Sequence, residues 1–125
     1  MNHRGTEITE AIIGAAIEVH RHLGPGLLES VYEAALAHEI SARGLAVERQ
    51  KSVPIAYKGI TLDEGFRLDL LVAGEVIVEL KTVETLLPVH EAQVLSYLKL
   101  TGLKLALVIN FKTALLKDGI RRFSL

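Results

Sequence analysis

Three side chains in the middle of the chain have the types and spacing of a reaction centre. Asp69 lies in the run Phe66-Arg67-Leu68-Asp69-Leu70-Leu71-Val72, and Glu79 and Lys81 lie in Glu75-Val76-Ile77-Val78-Glu79-Leu80-Lys81. Successive strand residues point to opposite faces, so Glu79 and Lys81 share one. If Phe66, Leu68, Leu70 and Val72 join Val76, Val78 and Leu80 on a core face, Asp69 meets Glu79 and Lys81 on the other, across strands ~4.8 Å apart. Carboxylates that close raise each other's pKa unless a cation sits between them. Mg²⁺ meets that need, because it takes one or two carboxylates, keeps several waters and leaves other positions to phosphate oxygens. An ammonium one strand step away can orient or help deprotonate an attacking water and offset charge on the phosphate. The same pattern also fits a solvated face on which Glu79 pairs with Lys81 and Asp69 with Arg67. Spacing alone does not separate the two.

The elements that must position these residues are legible from period and punctuation. Ile8, Ile12, Ala15, Val19 and Leu23 recur at helical spacing behind Thr6, a suitable N-cap, and Gly24-Pro25-Gly26 ends that helix. A second helix runs from about Leu28 to Arg43, with Leu28, Val31, Ala35 and Ile40 as its inner stripe and Gly44 as the residue beyond its end. The period then changes to two. Ala46–Tyr57 reads as a strand in which Pro54 marks an edge or bulge, and Lys58-Gly59 and Glu64-Gly65 read as turns. Residues 66–72 and 75–81 form a hairpin around Ala73-Gly74, and a helix over 90–101 leads to the apolar strand 105–111. Strand, helix, strand implies a right-handed crossover and a parallel pair. The order is α-α-β-β-β-α-β in one domain over 1–125, with a short last strand available in the tail.

Composition removes several alternatives. The chain has no cysteine, which excludes disulfides and thiolate chemistry and fits a reducing cytoplasm. Fourteen basic and 15 acidic residues give a net charge of −1, so a phosphate ligand needs local cations or a metal ion rather than a global positive field. The N-terminal residues lack a signal-peptide pattern. No apolar run approaches the roughly 20 residues of a membrane span. Potentially exposed sheet edges leave room for a homo-oligomer. His20-Arg21-His22 does not read as a metal site, because helix neighbours two apart do not face each other.

Further polar residues flank the central trio. Gln93 and Tyr97 share a helix face at i, i+4, and "GLLESVY" sets Glu29 and Tyr32 three apart at a helix start. Gly26-x-x-Glu29-x-x-Tyr32, then Asp69, Glu79-x-Lys81 and Gln93-x-x-x-Tyr97, resemble the GxxExxY protein family, a branch of the PD-(D/E)XK nuclease superfamily. The likeness covers nearly the whole chain. It implies a restriction-endonuclease-like α/β core, a mixed four-stranded sheet flanked by helices, with the first helix as an addition. It implies Mg²⁺ or Mn²⁺ held by Asp69 and Glu79 with Glu29 completing the site, and Lys81 as the water-activating residue. Gln93 and Tyr97, with Tyr32, match substrate-positioning residues. The implied activity is hydrolysis of nucleic acid, DNA ahead of RNA, and a catalytically inactive module binding nucleic acid or a protein partner is the alternative. One departure is Leu68, which stands where the superfamily motif has proline.

Overall fold

Helical period gives way to strand period where the residues require it in the computed structural model, which describes residues 3–125. Helix α1 (His3–Leu23) and α2 (Glu29–Ala42) precede strands β1 (Val47–Tyr57), β2 (Ile60–Val72) and β3 (Val76–Lys81). Helix α3 (Pro88–Thr101), strand β4 (Leu105–Asn110), a 3₁₀ turn (Leu116–Gly119) and β5 (Ile120–Ser124) follow. The strands form one sheet in the order β1-β2-β3-β4-β5, parallel between β3 and β4 and antiparallel elsewhere. The sheet therefore has five strands rather than the four expected, because the tail pairs with β4 from Leu105↔Ser124 to Ile109↔Ile120. Among the described residues no helix is long and apolar enough to cross a membrane.

The sheet carries helices on both faces, which is why β3 and β4 are apolar on both sides. On one face, Ile8, Ile12, Ala15 and Val19 of α1 and Tyr32, Leu36 and Ile40 of α2 pack on Leu70, Val72, Val76, Val78, Leu80, Leu107 and Ile109. On the other, Val94 and Leu98 of α3 cover Leu68, Ile77, Ala106 and Val108.

Several boundaries and faces differ from expectation, for local reasons. Thr6 lies inside α1, which starts at His3, rather than capping it. Helix α2 starts at Glu29 with Leu28 extended before it, and its buried stripe is Tyr32, Glu33, Leu36, Ala37 and Ile40. Leu28 and Val31 stay exposed, at 74% and 42%. The helix is rotated about one position from the apolar count because it must face α1 and the sheet together. Its end is as read: Gly44 adopts a left-handed φ of +87°, and its N–H and that of Leu45 close on Ser41 and Ile40.

Glu64-Gly65 is not a turn. The chain reverses at Lys58-Gly59, whose φ values of +46° and +83° suit a two-residue hairpin loop, and β2 then runs through Gly65. The ladder slips between Val53 and Ile55, at Pro54, as that proline suggested. Opposite the slip, a Cβ on Gly65 would lie 1.9 Å from the Val53 carbonyl oxygen, so only glycine fits.

Gly65→Ala should therefore destabilise the protein by roughly 2 kcal/mol or more, since a rigid backbone atom has to move. Thermal unfolding measures this, and an unchanged Tm would show that the bulge relaxes at no cost.

Candidate active site

Strands β2 and β3 pair over only three positions, Val72↔Val76, Leu71↔Ile77 and Leu70↔Val78. Beyond Leu70 the ladder stops and carboxylates replace its carbonyl acceptors. The N–H of Asp69 donates to Glu79 Oε2 at 2.9 Å, and the N–H of Leu80 donates to Asp69 Oδ2 at 2.8 Å. Each acidic side chain is thus fixed by the other strand's backbone, at the point where the strands part.

The parting also changes the phase of β2. Phe66 and Leu68 pack in the α3-side core, whereas Leu70 and Val72 pack in the core under α1 and α2. The expected common face for these four residues is therefore wrong. The β1–β2 ladder passes from Arg49↔Leu70 to Lys51↔Leu68 without pairing Gln50 and Asp69 between them. Gln50 has φ +51°, an uncommon conformation for a side chain of its kind. One residue on each strand thus absorbs the change of face.

Burial is the main electrostatic fact. Glu79 is 4% exposed. Burial, and then the nearby Asp69 charge, push its carboxyl up to about 8, against the Asp69 N–H bond and the Lys81 charge. Burial likewise raises Asp69, opposed by the Leu80 N–H, reinforced by Glu33, and tempered by Gln50 and Lys81. Tyr97 is raised by burial and then by Glu79. Among the described residues no ion pair includes Asp69, Glu79 or Lys81. The solvated-face alternative, with Glu79 and Asp69 each paired to a basic neighbour, does not hold. Lys81 Nζ instead donates to Gln93 Oε1 at 3.1 Å.

The other predicted residues fall around this pair unequally. Glu29, first in α2, accepts a hydrogen bond from Thr82 Oγ1 at 3.2 Å, next to Lys81 in the chain. It lines an open cleft of about 320 Å³ with Ser30, Glu33, Gln50, Asp69 and Leu80. The Tyr97 ring stacks on Phe66 with centroids 4.1 Å apart. Tyr32 does not reach the surface: it is fully buried, and its ring stacks on Phe111 at 4.4 Å. Its hydroxyl donates to the Gly24 carbonyl and accepts the Leu27 N–H. Tyr32 holds the loop that leads into Glu29, so direct contact with a substrate is closed to it.

Two residues of the cleft escaped sequence reasoning. Glu33, four residues after Glu29 on α2, is only 7% exposed. Arg49 Nε at 3.1 Å and the Gln50 amide satisfy its carboxylate, and the same amide reaches Asp69 Oδ1 at 3.4 Å. The like-charge i, i+4 pair Glu29/Glu33 was the available signal, since such a pair is unfavourable on a plain helix surface. For Gln50 the sequence holds no comparable signal.

Among the described residues no three His, Asp or Glu side chains converge as a ready ligand set, so Asp69, Glu79 and Glu29 do not form a preassembled triad. The chemistry of Asp69 and Glu79 still suits a hard cation. They are adjacent, half-buried or buried oxygen donors without a cationic partner, and Mg²⁺ needs only one or two carboxylates from a protein.

A family model, that of the PD-(D/E)XK nuclease superfamily, matches residues 6–123. No protein of curated function and no solved structure gives a match.

A pH prediction follows from Glu79. In metal-free protein its carboxyl keeps the proton up to about pH 8, whereas a carboxyl with the ordinary value of 4.5 releases it earlier. The native state then binds more protons across that interval, so its stability falls as pH rises through it and levels off above. Glu79→Gln keeps an acceptor for the Asp69 N–H but removes this slope. Its Tm should exceed the parent's by more at about pH 8.5 than at about pH 5. Equal differences at the two pH values would show that Glu79 ionises as an ordinary glutamate.

Proposed function

The chain belongs to the PD-(D/E)XK nuclease superfamily, and from that premise we propose that it is a metal-dependent nuclease whose reaction is centred on Asp69, Glu79 and Lys81. The observation that carries this reading is the reciprocal bracing of Asp69 and Glu79 where β2 leaves β3, with no ion pair to either. A fold that only needed stability would gain little from a buried and a half-buried carboxylate with raised pKa values; a cation-binding site needs them.

In this reading Asp69 and Glu79 hold Mg²⁺ or Mn²⁺, and Glu29, bonded to Thr82 and outside any preassembled triad, serves the outer shell of the metal site. The ion, when bound, supplies Lewis-acid polarisation of the phosphate and lowers the pKa of a coordinated water. The chain's own residues do the rest. The backbone N–H groups of Asp69 and Leu80 keep the two carboxylates in place, so little reorganisation precedes binding. Lys81 orients the attacking water and offsets charge on the phosphoryl oxygens as the new P–O bond forms and the old one breaks. Gln93 holds the Lys81 ammonium, and Tyr97, fixed against Phe66, borders the same end of the sheet. Glu33 and Gln50 act behind Asp69, the Gln50 amide restraining its outer oxygen. Gly26-x-x-Glu29-x-x-Tyr32 supports reading the chain as one of the GxxExxY branch within the superfamily, with Tyr32 as the residue that sets the loop before Glu29. We take the substrate to be nucleic acid, DNA ahead of RNA.

Two measurements test this. Glu79→Ala and Lys81→Ala should each lower Mn²⁺-supported cleavage of DNA and RNA oligonucleotides by about 10²-fold or more, the scale of losing one preorganised electrostatic group. Full turnover in Glu79→Ala would reject the assignment. Independently, Mg²⁺ or Mn²⁺ at 100 times its Kd should stabilise the parent by ~2.7 kcal/mol, reversibly on chelation. That shift should vanish in Glu79→Ala, and a parent Tm indifferent to both ions would remove the metal from the proposal.

A further inference from the structure

A larger cavity, of about 520 Å³, opens between the end of α1 and the segment after β4. Ile17, Pro25, Leu115 and Leu116 make its lining aliphatic, and the side chains of Ile17 and Leu115 stay 45% and 57% exposed there. His20, Arg21 and Lys117 bring cationic or protonatable groups to the same cavity. Among the described residues no acidic side chain lines it, although the chain as a whole is slightly acidic.

Both walls connect to chain segments that adjoin the candidate active site. Pro25 lines this cavity and Glu29 lines the cleft, four residues further on, a chain path of at most ~14 Å. On the other wall, Lys81 and Asn110 are register partners, and the N–H of Phe111 donates to the Lys81 carbonyl at 2.9 Å. The Asn110 side chain accepts the Val83 N–H at 3.1 Å and donates to the Val83 carbonyl at 2.8 Å. The segment leading to Leu115 is therefore fastened to the loop that follows Lys81. His20 Nε2 donates to the Thr113 carbonyl at 2.8 Å, and Tyr32 clamps Gly24 and Leu27. Both walls are thus held by specific bonds.

An apolar floor with cations at its rim fits a ligand with an apolar body flanked by negative charge. A nucleotide strand has that chemistry: every base offers a π-face, and phosphates lie on both sides of it. We propose that this cavity seats one base of the substrate strand, a few nucleotides from the scissile phosphate, with Lys117 and Arg21 meeting the adjoining phosphates. This rests on the nuclease reading. Aliphatic walls contact the face of a base rather than its edges, so the contact fixes where a strand lies without selecting its sequence. Lys117 is the stronger cation of the two, because Arg21 already donates to both carboxylate oxygens of Glu18, at 2.6 and 2.9 Å.

The test uses full-length Glu79→Gln protein and single-stranded oligonucleotides of about eight residues, each carrying 5-iodouracil at one position. Photocrosslinking followed by mass spectrometry should give, from one oligonucleotide position, adducts on His20, the ring that lines the cavity. Ala114→Trp, which fills the cavity from an exposed position, should remove those adducts and weaken binding roughly tenfold, the scale of one base contact. Lys117→Glu, a surface change that leaves packing intact, should weaken binding and flatten its salt dependence. Adducts confined to other residues, or parent-like Kd values for both variants, would overturn the proposal. If Glu79→Ala cleaves normally while the cavity adducts persist, the nuclease assignment fails and the base-binding site stands. If cleavage depends on Glu79 but Ala114→Trp leaves KM unchanged, the site fails alone.

Discussion

Everything about the candidate site depends on where one hydrogen-bond ladder stops. Between Leu70 and Asp69 the β2–β3 pairing gives out, and two carboxylates accept the amide protons that strand carbonyls would otherwise take. This substitution satisfies the backbone where the strands separate. It also fixes the acidic groups by main-chain contacts, which are less adaptable than contacts between two flexible side chains. Of the two acids, Asp69 lines the cleft beside the fork, and Glu79 stays buried behind it.

The arrangement is electrostatically unfavourable taken alone. Burial raises both carboxyls, reinforced at Glu79 by the Asp69 charge and at Asp69 by Glu33, and among the described residues Lys81 reduces the effect without forming an ion pair. Such a cluster persists because the surroundings over-determine it: β3 is locked between β2 and β4, with apolar cores on both faces of the sheet. Glu33 shows the contrasting solution. It is equally buried but has Arg49 and Gln50 as partners, so it reads as a support behind Asp69 rather than a reacting group. The left-handed Gln50 is the local strain that lets one amide serve both acids.

A second layer of residues sets positions without touching the chemistry. Tyr32 ties the loop before α2, and with it the start of the helix that carries Glu29. Asn110 ties the segment after β4 to the loop after Lys81. Both are buried polar groups whose partners are backbone atoms, the kind of contact that holds irregular chain in a single conformation. The larger apolar cavity is lined by residues of these two fastened segments, Pro25 on one and Leu115 on the other.

The sequence by itself determined the type and order of the elements before the tail, the parallel β3–β4 pair and the hairpin at Ala73-Gly74, and it singled out Asp69, Glu79 and Lys81, though through a shared core face that β2 does not have. These follow from periodicity and turn chemistry, which are properties of neighbours along the chain. It also showed that Pro54 marks an irregular strand and that Gly44 ends α2. Only the tertiary structure decided which way α2 faces, and hence that Tyr32 and Glu33 are inside while Val31 is out. Only it decided that Leu68 and Leu70 serve opposite cores. The physical reason is the same in both cases. A helix can rotate by one position, and a strand can change face through one unpaired residue, with no change in local propensity. Packing against partners distant in sequence selects among those choices, and it is that selection which turned Tyr32 into an anchor and brought Gln50 to Asp69.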